Sequence, residues 1–206
     1  MSRARCAYGL IMSLLCMQVS GQALRNPSFE GPRGPARTPP GWEPCGEGST
    51  PDTQPGSWQV RTPPSDGASY LSLICRGPLV PYPNRWERCQ QALDTPLQPG
   101  RCYLFTIDLA RSPSFAAGSI LFTGEASLRV WGGRSSCSPA VLLWESGPVS
   151  HTHWETYQML LLPPEPAAYL FLEAYYTSGT TYSGNLLLDR MLSFPDADPC
   201  RPVSAR

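Results

Sequence analysis

Apolar and polar residues alternate along much of this chain. In RCYLFTIDLA, Arg101 to Ala110, the side chains of Tyr103, Phe105, Ile107 and Leu109 share one face, while Cys102, Leu104, Thr106 and Asp108 share the other. SLRVW separates Leu128 and Val130 from Arg129 and Trp131, and YLFLEAYY separates Leu170, Leu172 and Ala174 from Tyr169, Phe171, Glu173 and Tyr175. Period two is the spacing of a strand with one buried face, and no segment longer than a few turns repeats apolar residues at helical spacing. The pattern predicts strands at Leu24 to Glu30, Gly41 to Cys45, Ser57 to Arg61, Ser69 to Cys75, Trp86 to Leu93, Arg101 to Ala110, Ala126 to Trp131, His153 to Leu162, Tyr169 to Tyr176 and Asn185 to Phe194. Prolines gather between them, in GPRGPARTPPG, RTPPSDG, RGPLVPYPN and LPPEPAA, because a residue without an N–H is confined to loops and sheet edges. The glycine pair after Trp131 predicts a turn. Short strands with no helix between them predict an all-β fold, an antiparallel sandwich of two sheets.

Composition narrows the function classes. Sixteen acidic residues balance sixteen basic ones, all arginine, so the formal net charge is zero. Without a basic cluster there is no electrostatic footprint for nucleic acid. Residues 1–23 carry two early arginines, an apolar run from Cys6 to Val19 and a small-residue end at Gly21-Gln22-Ala23, the pattern of a cleaved secretory signal peptide. That run is short of the ~20 residues a membrane span needs, so no span is expected after cleavage. The expected location is therefore secreted or cell-surface. Residues 24–200 form one expected domain, with 201–206 as a tail. Cys6 and Cys16 leave with the leader. Cys45, Cys75, Cys89, Cys102, Cys137 and Cys200 remain, an even set in an oxidising compartment, and are expected as disulfides with the pairing left open.

Several landmarks follow one another in order: NPSFE at Asn26 to Glu30, GW at Gly41-Trp42, PSDGASYLSL from Pro64, QQALDTPLQPGRCYLFTIDLA from Gln90, HWETYQMLLLP from His153 and NLLLDRMLSF from Asn185. Together they resemble the galactose-binding-like jelly rolls of secreted carbohydrate-binding modules. STPD and QPGSW, within Ser49 to Trp58, also look like secreted proteins of polysaccharide-degrading bacteria of the Bacteroidetes type. The resemblance implies a jelly roll in which the first strand lies beside the last, with a structural calcium at that junction. The matching carboxylates are Glu30 and Asp189, with Asp66 as a third. Calcium takes six to eight oxygens, so backbone carbonyls and water would complete the shell. Such modules often carry a second acid where this chain has Arg190, and a guanidinium beside Glu30 could replace the ion by a charge-assisted pair.

Candidate chemistry lies on the mixed faces. A sugar-recognising surface needs flat rings to stack on and planar polar groups for paired hydrogen bonds. Asp108, Arg129, Trp131, Gln158, Glu173 and Tyr175 are the residues that the alternation turns outward, and Trp58, Trp86 and Tyr82 sit near loops. HTHWE puts His151, His153 and Glu155 on one side, a set suited to a transition metal or to a solvated strand end. There is no GxSxG nucleophile elbow. Asp108 and Glu173 are the one acid pair on the mixed faces that a glycan hydrolase would use. The expected function is noncatalytic glycan binding; the alternatives are a cell-surface protein–protein interaction domain and, third, a hydrolase.

Overall fold

A computed structural model describes residues 24–77, 85–176 and 182–194. Its strands are β1 (Glu43–Pro44), β2 (Asp52–Gln54), β3 (Tyr70–Arg76), β4 (Arg85–Trp86), β5 (Arg88–Leu97), β6 (Tyr103–Ala110), β7 (Ala116–Ala117), β8 (Ile120–Leu121), β9 (Gly124–Glu125), β10 (Ser127–Gly133), β11 (Val141–Pro148), β12 (Glu155–Leu161), β13 (Ala167–Tyr175) and β14 (Gly184–Phe194). A five-stranded sheet runs β1-β5-β13-β10-β11 and a larger one runs β12-β6-β14-β3-β2, with β4 added on β3 and β9 lying parallel to β14. The chain is an all-β, two-layer antiparallel sandwich, as its alternation predicts.

The inner faces carry the residues the period assigns to them. Phe105, Ile107 and Leu109 of β6, Leu128 and Val130 of β10, Leu170, Leu172 and Ala174 of β13, and Leu186 and Leu188 of β14 enter one core. A smaller cluster of Val60, Tyr70, Ala110, Phe115, Phe122 and Leu187 sits on the outer face of the larger sheet, under the loops that cross it. Two predicted strands are turns instead. At the start, Asn26 and Phe29 have φ of 50° and 52°, and the Asn26 side chain receives the Glu30 N–H at 2.9 Å while donating to the Glu30 carbonyl at 2.8 Å. This closed loop still performs a strand's packing: Phe29 is buried against Trp42, and Pro27 accepts the Met191 N–H at 2.8 Å, joining the opening segment to the last strand. Burial of such a ring stabilises by about 1.5–3 kcal/mol. Ser57 to Arg61 likewise turns, with Trp58 and Gln59 at positive φ, and drops Val60 into the outer cluster.

β11 is the longest strand the alternation misses; β2, β7, β8 and β9, of two or three residues each, are missed as well. Its register against β10 shifts twice, once within the apolar run of Val141, Leu142, Leu143 and Trp144, where Leu143 is the extra residue. Gly132 and Gly133 continue β10 and do not turn. The expected disulfides are realised in part. Cys45 and Cys137 are bonded, with Cα atoms 5.2 Å apart, and Cys102 is also disulfide-bonded. Cys75 and Cys89 are not: both thiols are free and buried in the main core, where they pack as small apolar groups and burial pushes their ionisation upward. Cys200, the predicted leader and the 201–206 tail lie outside the described residues.

Candidate functional site

The outer face of the five-stranded sheet gathers charged and aromatic side chains in register. Glu145, Arg129, Glu173 and Arg88 lie side by side across β11, β10, β13 and β5, a row of alternating charge. Arg129 Nε donates to Glu145 Oε2 at 3.0 Å, and Arg88 pairs with Glu173. Glu173 is buried on this face because two groups close over it: its Oε2 takes Arg88 and its Oε1 accepts the Trp131 indole N–H at 3.2 Å. The Arg129 guanidinium lies over the Tyr175 ring at 3.4 Å, a cation–π contact. Trp86, 40% exposed, reaches Tyr175 at 5.4 Å, and Tyr175 stacks on Tyr176 at 5.8 Å.

The middle of the next row is covered. Leu142, Trp131, Phe171, Gln90 and Glu43 follow one another across the same strands and on to β1. The β10–β11 loop folds back over Phe171 and Gln90, held by the Cys45–Cys137 bond, by the Cys137 N–H donating to Gln90 Oε1 at 2.7 Å, and by Gln90 Nε2 donating to Ser136 Oγ at 2.6 Å, while Leu142 and Glu43 at the two ends stay exposed. Gly133 is required here by space: a Cβ would stand 2.3 Å from the Ser138 carbonyl oxygen and 2.8 Å from the Phe171 ring. Phe171 is buried as a result. Rings and charge lie open together at the row of Arg88 and Arg129 with Tyr175, which Trp86 reaches from β4 of the larger sheet.

Four of the six residues that the alternation turns outward, Arg129, Trp131, Glu173 and Tyr175, come together here. Asp108 and Gln158 do not, because β6 and β12 belong to the other sheet. Asp108 is buried on that sheet's outer face, where Arg190 donates to both its oxygens at 2.9 and 3.2 Å, Thr156 Oγ1 donates at 2.6 Å and Ser65 adds another hydroxyl. Burial works to raise the Asp108 carboxyl, but these donors outweigh it and hold it below the ordinary carboxylate range. Asp108 and Glu173 therefore form no opposed acid pair: they sit on different sheets, each matched to an arginine. Arg88 and Glu145 complete the surface and were not singled out by the sequence; Phe171, which the alternation also turned outward, is buried under the loop.

Glu30 and Asp189 both bind the loop of residues 65–69, to which Asp66 belongs. Glu30 Oε1 accepts the Ala68 and Ser69 N–H groups at 2.8 and 3.2 Å, and its Oε2 accepts the Ser69 hydroxyl at 3.2 Å. Asp189 accepts the N–H groups of Ser65, Asp66 and Arg190 at 2.8–2.9 Å, while Asp66 accepts the Ser28 hydroxyl. Burial pushes Asp189 up to about 6 against those three donors. N–H dipoles aimed at the carboxylates occupy the lone pairs a calcium ion would use, so this donor set does not fit that ion. Arg190 pairs with Asp108, not Glu30. In the HTHWE stretch, Glu155 meets His153 Nε2 at 2.9 Å and His151 Nε2 at 3.6 Å, and His151 also bonds the Tyr157 hydroxyl at 2.9 Å. Among the described residues no group of three or more His, Cys, Asp or Glu side chains is arranged to hold a metal ion.

No family model matches the chain, and no curated protein matches it in sequence. Solved structures do match in shape. A cyclase from Fischerella sp. TAU in complex with 4-(1H-indol-3-yl)butan-2-one is 14% identical with a TM-score of 0.52, covering 85% of this chain and 98% of that one. The K2 cleaved adhesin domain of Lys-gingipain is 14% identical with a TM-score of 0.52, covering 80% and 95%. An arabinose-bound α-L-arabinofuranosidase is 14% identical with a TM-score of 0.50, covering 84% of this chain and 26% of the enzyme. At these identities the shared property is the β-sandwich itself.

Proposed function

We propose that this chain is an extracellular, noncatalytic interaction domain that takes its partner on the open part of the five-stranded sheet's outer face. The observation that carries this is the exposed Trp86 ring set against Tyr175, with the Arg129 guanidinium over that ring and the charge row beside it already paired. Rings and guanidinium groups held in place before binding lose little entropy when a partner arrives, and such residues dominate interface energies. The secretory leader pattern and the Cys45–Cys137 bond support a location outside the cell. An adhesin domain among the shape matches is in keeping with a binding role.

Glycan recognition is the second reading, favoured by the neighbouring flat rings of Trp86 and Tyr175, which offer stacking faces for a sugar, with Arg88 and Arg129 at hand for its hydroxyls. A glycan array run beside a pulldown from extracellular material separates the two. In either case Trp86→Ala and Tyr175→Ala should reduce partner retention at least tenfold with far-UV circular dichroism unchanged. Full retention by both variants would remove this face from the account. Trp131→Ala, by contrast, should act through stability, since its indole is committed to Glu173.

A further inference from the structure

The main path of each sheet ends in two edge strands, and three of the four are guarded. β1 has two residues and ends in Pro44. β2 has three and is flanked by Pro51 and Pro55. β11 is bulged against β10 and carries Glu145, Gly147 and Pro148. Short length, proline, charge and bulges are the devices by which edges avoid pairing with other chains. β12 has none of them over most of its length. It pairs residue for residue with β6 from Glu155↔Leu109 to Leu161↔Tyr103 without a register shift, and from Thr156 through Leu162 it is uncharged and free of proline.

An apolar strip adjoins this edge on the outer face of the sheet. Register aligns Phe194, Leu104 and Leu160 in one row and Leu192, Thr106 and Gln158 in the next. Leu160, Leu162, Leu192 and Phe194 are 45%, 55%, 36% and 42% exposed. A groove of about 280 Å³ lined by Leu24, Pro27, Met191, Leu192, Ser193 and Phe194 adjoins the strip.

We propose that β12 is a homodimer edge: two copies pair their β12 strands antiparallel about a two-fold axis perpendicular to the larger sheet. That axis keeps both outer faces on the same side, so the two apolar strips join into one. A second copy suits this edge because it brings the same uncharged, regular strand from Thr156 onward; the charges beside its entry are already matched, Glu155 by His153 and His151, and the Arg190 guanidinium next to Thr156 by Asp108. The exposed strip offers on the order of 350 Å² of apolar surface per copy. A stable interface covers roughly 800 Å² per partner, so the strand backbone, Gln158 and the groove must supply the remainder. The dimer would bury Gln158 and leave the Trp86–Tyr175 surface, where β4 meets β13, open to its own partner. This inference does not depend on what that partner is.

Sedimentation velocity over a concentration series, with amide hydrogen exchange at its two ends, tests it. The protein should pass from monomer to dimer as concentration rises, with amides of residues 156–162 exchanging at least tenfold more slowly in the dimer. Leu160→Lys combined with Leu162→Lys, both at exposed positions, should remain monomeric with unchanged circular dichroism and unchanged Trp86-dependent binding. A wild-type protein that is monomeric at every concentration, a dimer that survives the lysine pair, or protection that falls on β11 would overturn the proposal. So would β12 amides protected only when an extended foreign peptide is added, which would make the edge a strand acceptor.

Discussion

Removing Arg88 tests whether the surface is held together from within. Glu173 is 2% exposed and has two partners there, the Arg88 guanidinium and the Trp131 N–H. In Arg88→Met the carboxylate stays buried with only the indole donor. Stripping one member from a buried ion pair costs about 3–5 kcal/mol; Arg88 is 21% exposed, so water can partly replace it and the lower end applies, about 3 kcal/mol. For a domain of this size that is roughly 6–12 °C in Tm. Glu173→Gln keeps an acceptor for Trp131 but orphans Arg88, costing about 1–2 kcal/mol. The double variant has neither stranded charge and should lie within about 1 kcal/mol of wild type, a coupling energy on the order of 4 kcal/mol. Urea unfolding of the four proteins, with equal m-values, gives the cycle. A cost below about 1 kcal/mol for Arg88→Met, or additivity within about 0.5 kcal/mol, would refute the view that Glu173 is a buried anchor and not a ligand contact.

Three further outcomes concern the buried acids, the disulfide and the carboxylates at the opening segment; of the acids, Glu87 accepts the Thr50 and Ile74 N–H groups and Asp52 accepts the Ala36 N–H. Burial pushes Glu87 up to about 7 and Asp52 and Asp189 up to about 6, so the folded chain holds protons that the unfolded chain releases near pH 4. The stability these acids contribute is present below about pH 4 and is lost as pH rises through 6 to 7; urea unfolding should show a few kcal/mol less stability at pH 8 than at pH 5, and a rise over that range would contradict the assignment. Replacing Cys45 and Cys137 by serine opens a link between residues 92 apart, which should cost about 4–5 kcal/mol by denaturant titration; a loss under about 1 kcal/mol would mean that the loop stays seated unaided. Thermal melts in excess calcium and in chelator should coincide, because Glu30 and Asp189 already take N–H donors; a higher Tm with calcium would show that the ion displaces them.

The layers of the fold were legible because period two decides which side chains enter the core: Phe105, Ile107 and Leu109 alternate without interruption, and so do Leu170, Leu172 and Ala174. Sequence failed where backbone geometry overrides the period. Asn26 and Phe29 take left-handed torsions that no hydropathy pattern encodes, and β11 opens on four consecutive apolar residues with a bulge at Leu143, so period two does not mark it. The site was legible in half. Alternation named Arg129, Trp131, Glu173 and Tyr175 as outward, but outward is not the same as open: the β10–β11 loop and Arg88 cover part of the face. Nor does alternation say which sheet a strand joins, so Asp108 and Gln158 were grouped with residues on the far side of the sandwich. Cys75 and Cys89 followed the period inward, and a thiol that packs as a methyl group gives no sign of lacking a bridge.

The placement of β14 has a consequence for how this molecule can be made. Although it comes late in the chain, it occupies the middle of the larger sheet, with β6 on one side and β3 on the other. A nascent polypeptide still missing Gly184 to Phe194 therefore holds two unjoined half-sheets, each showing a long unsatisfied margin to its surroundings. Ladders between strands so distant in sequence form slowly, and partly assembled forms with bare margins are prone to clumping. Biogenesis must accordingly delay closure until synthesis has passed that segment, and cutting the gene short of it would yield an insoluble product and not a smaller working module.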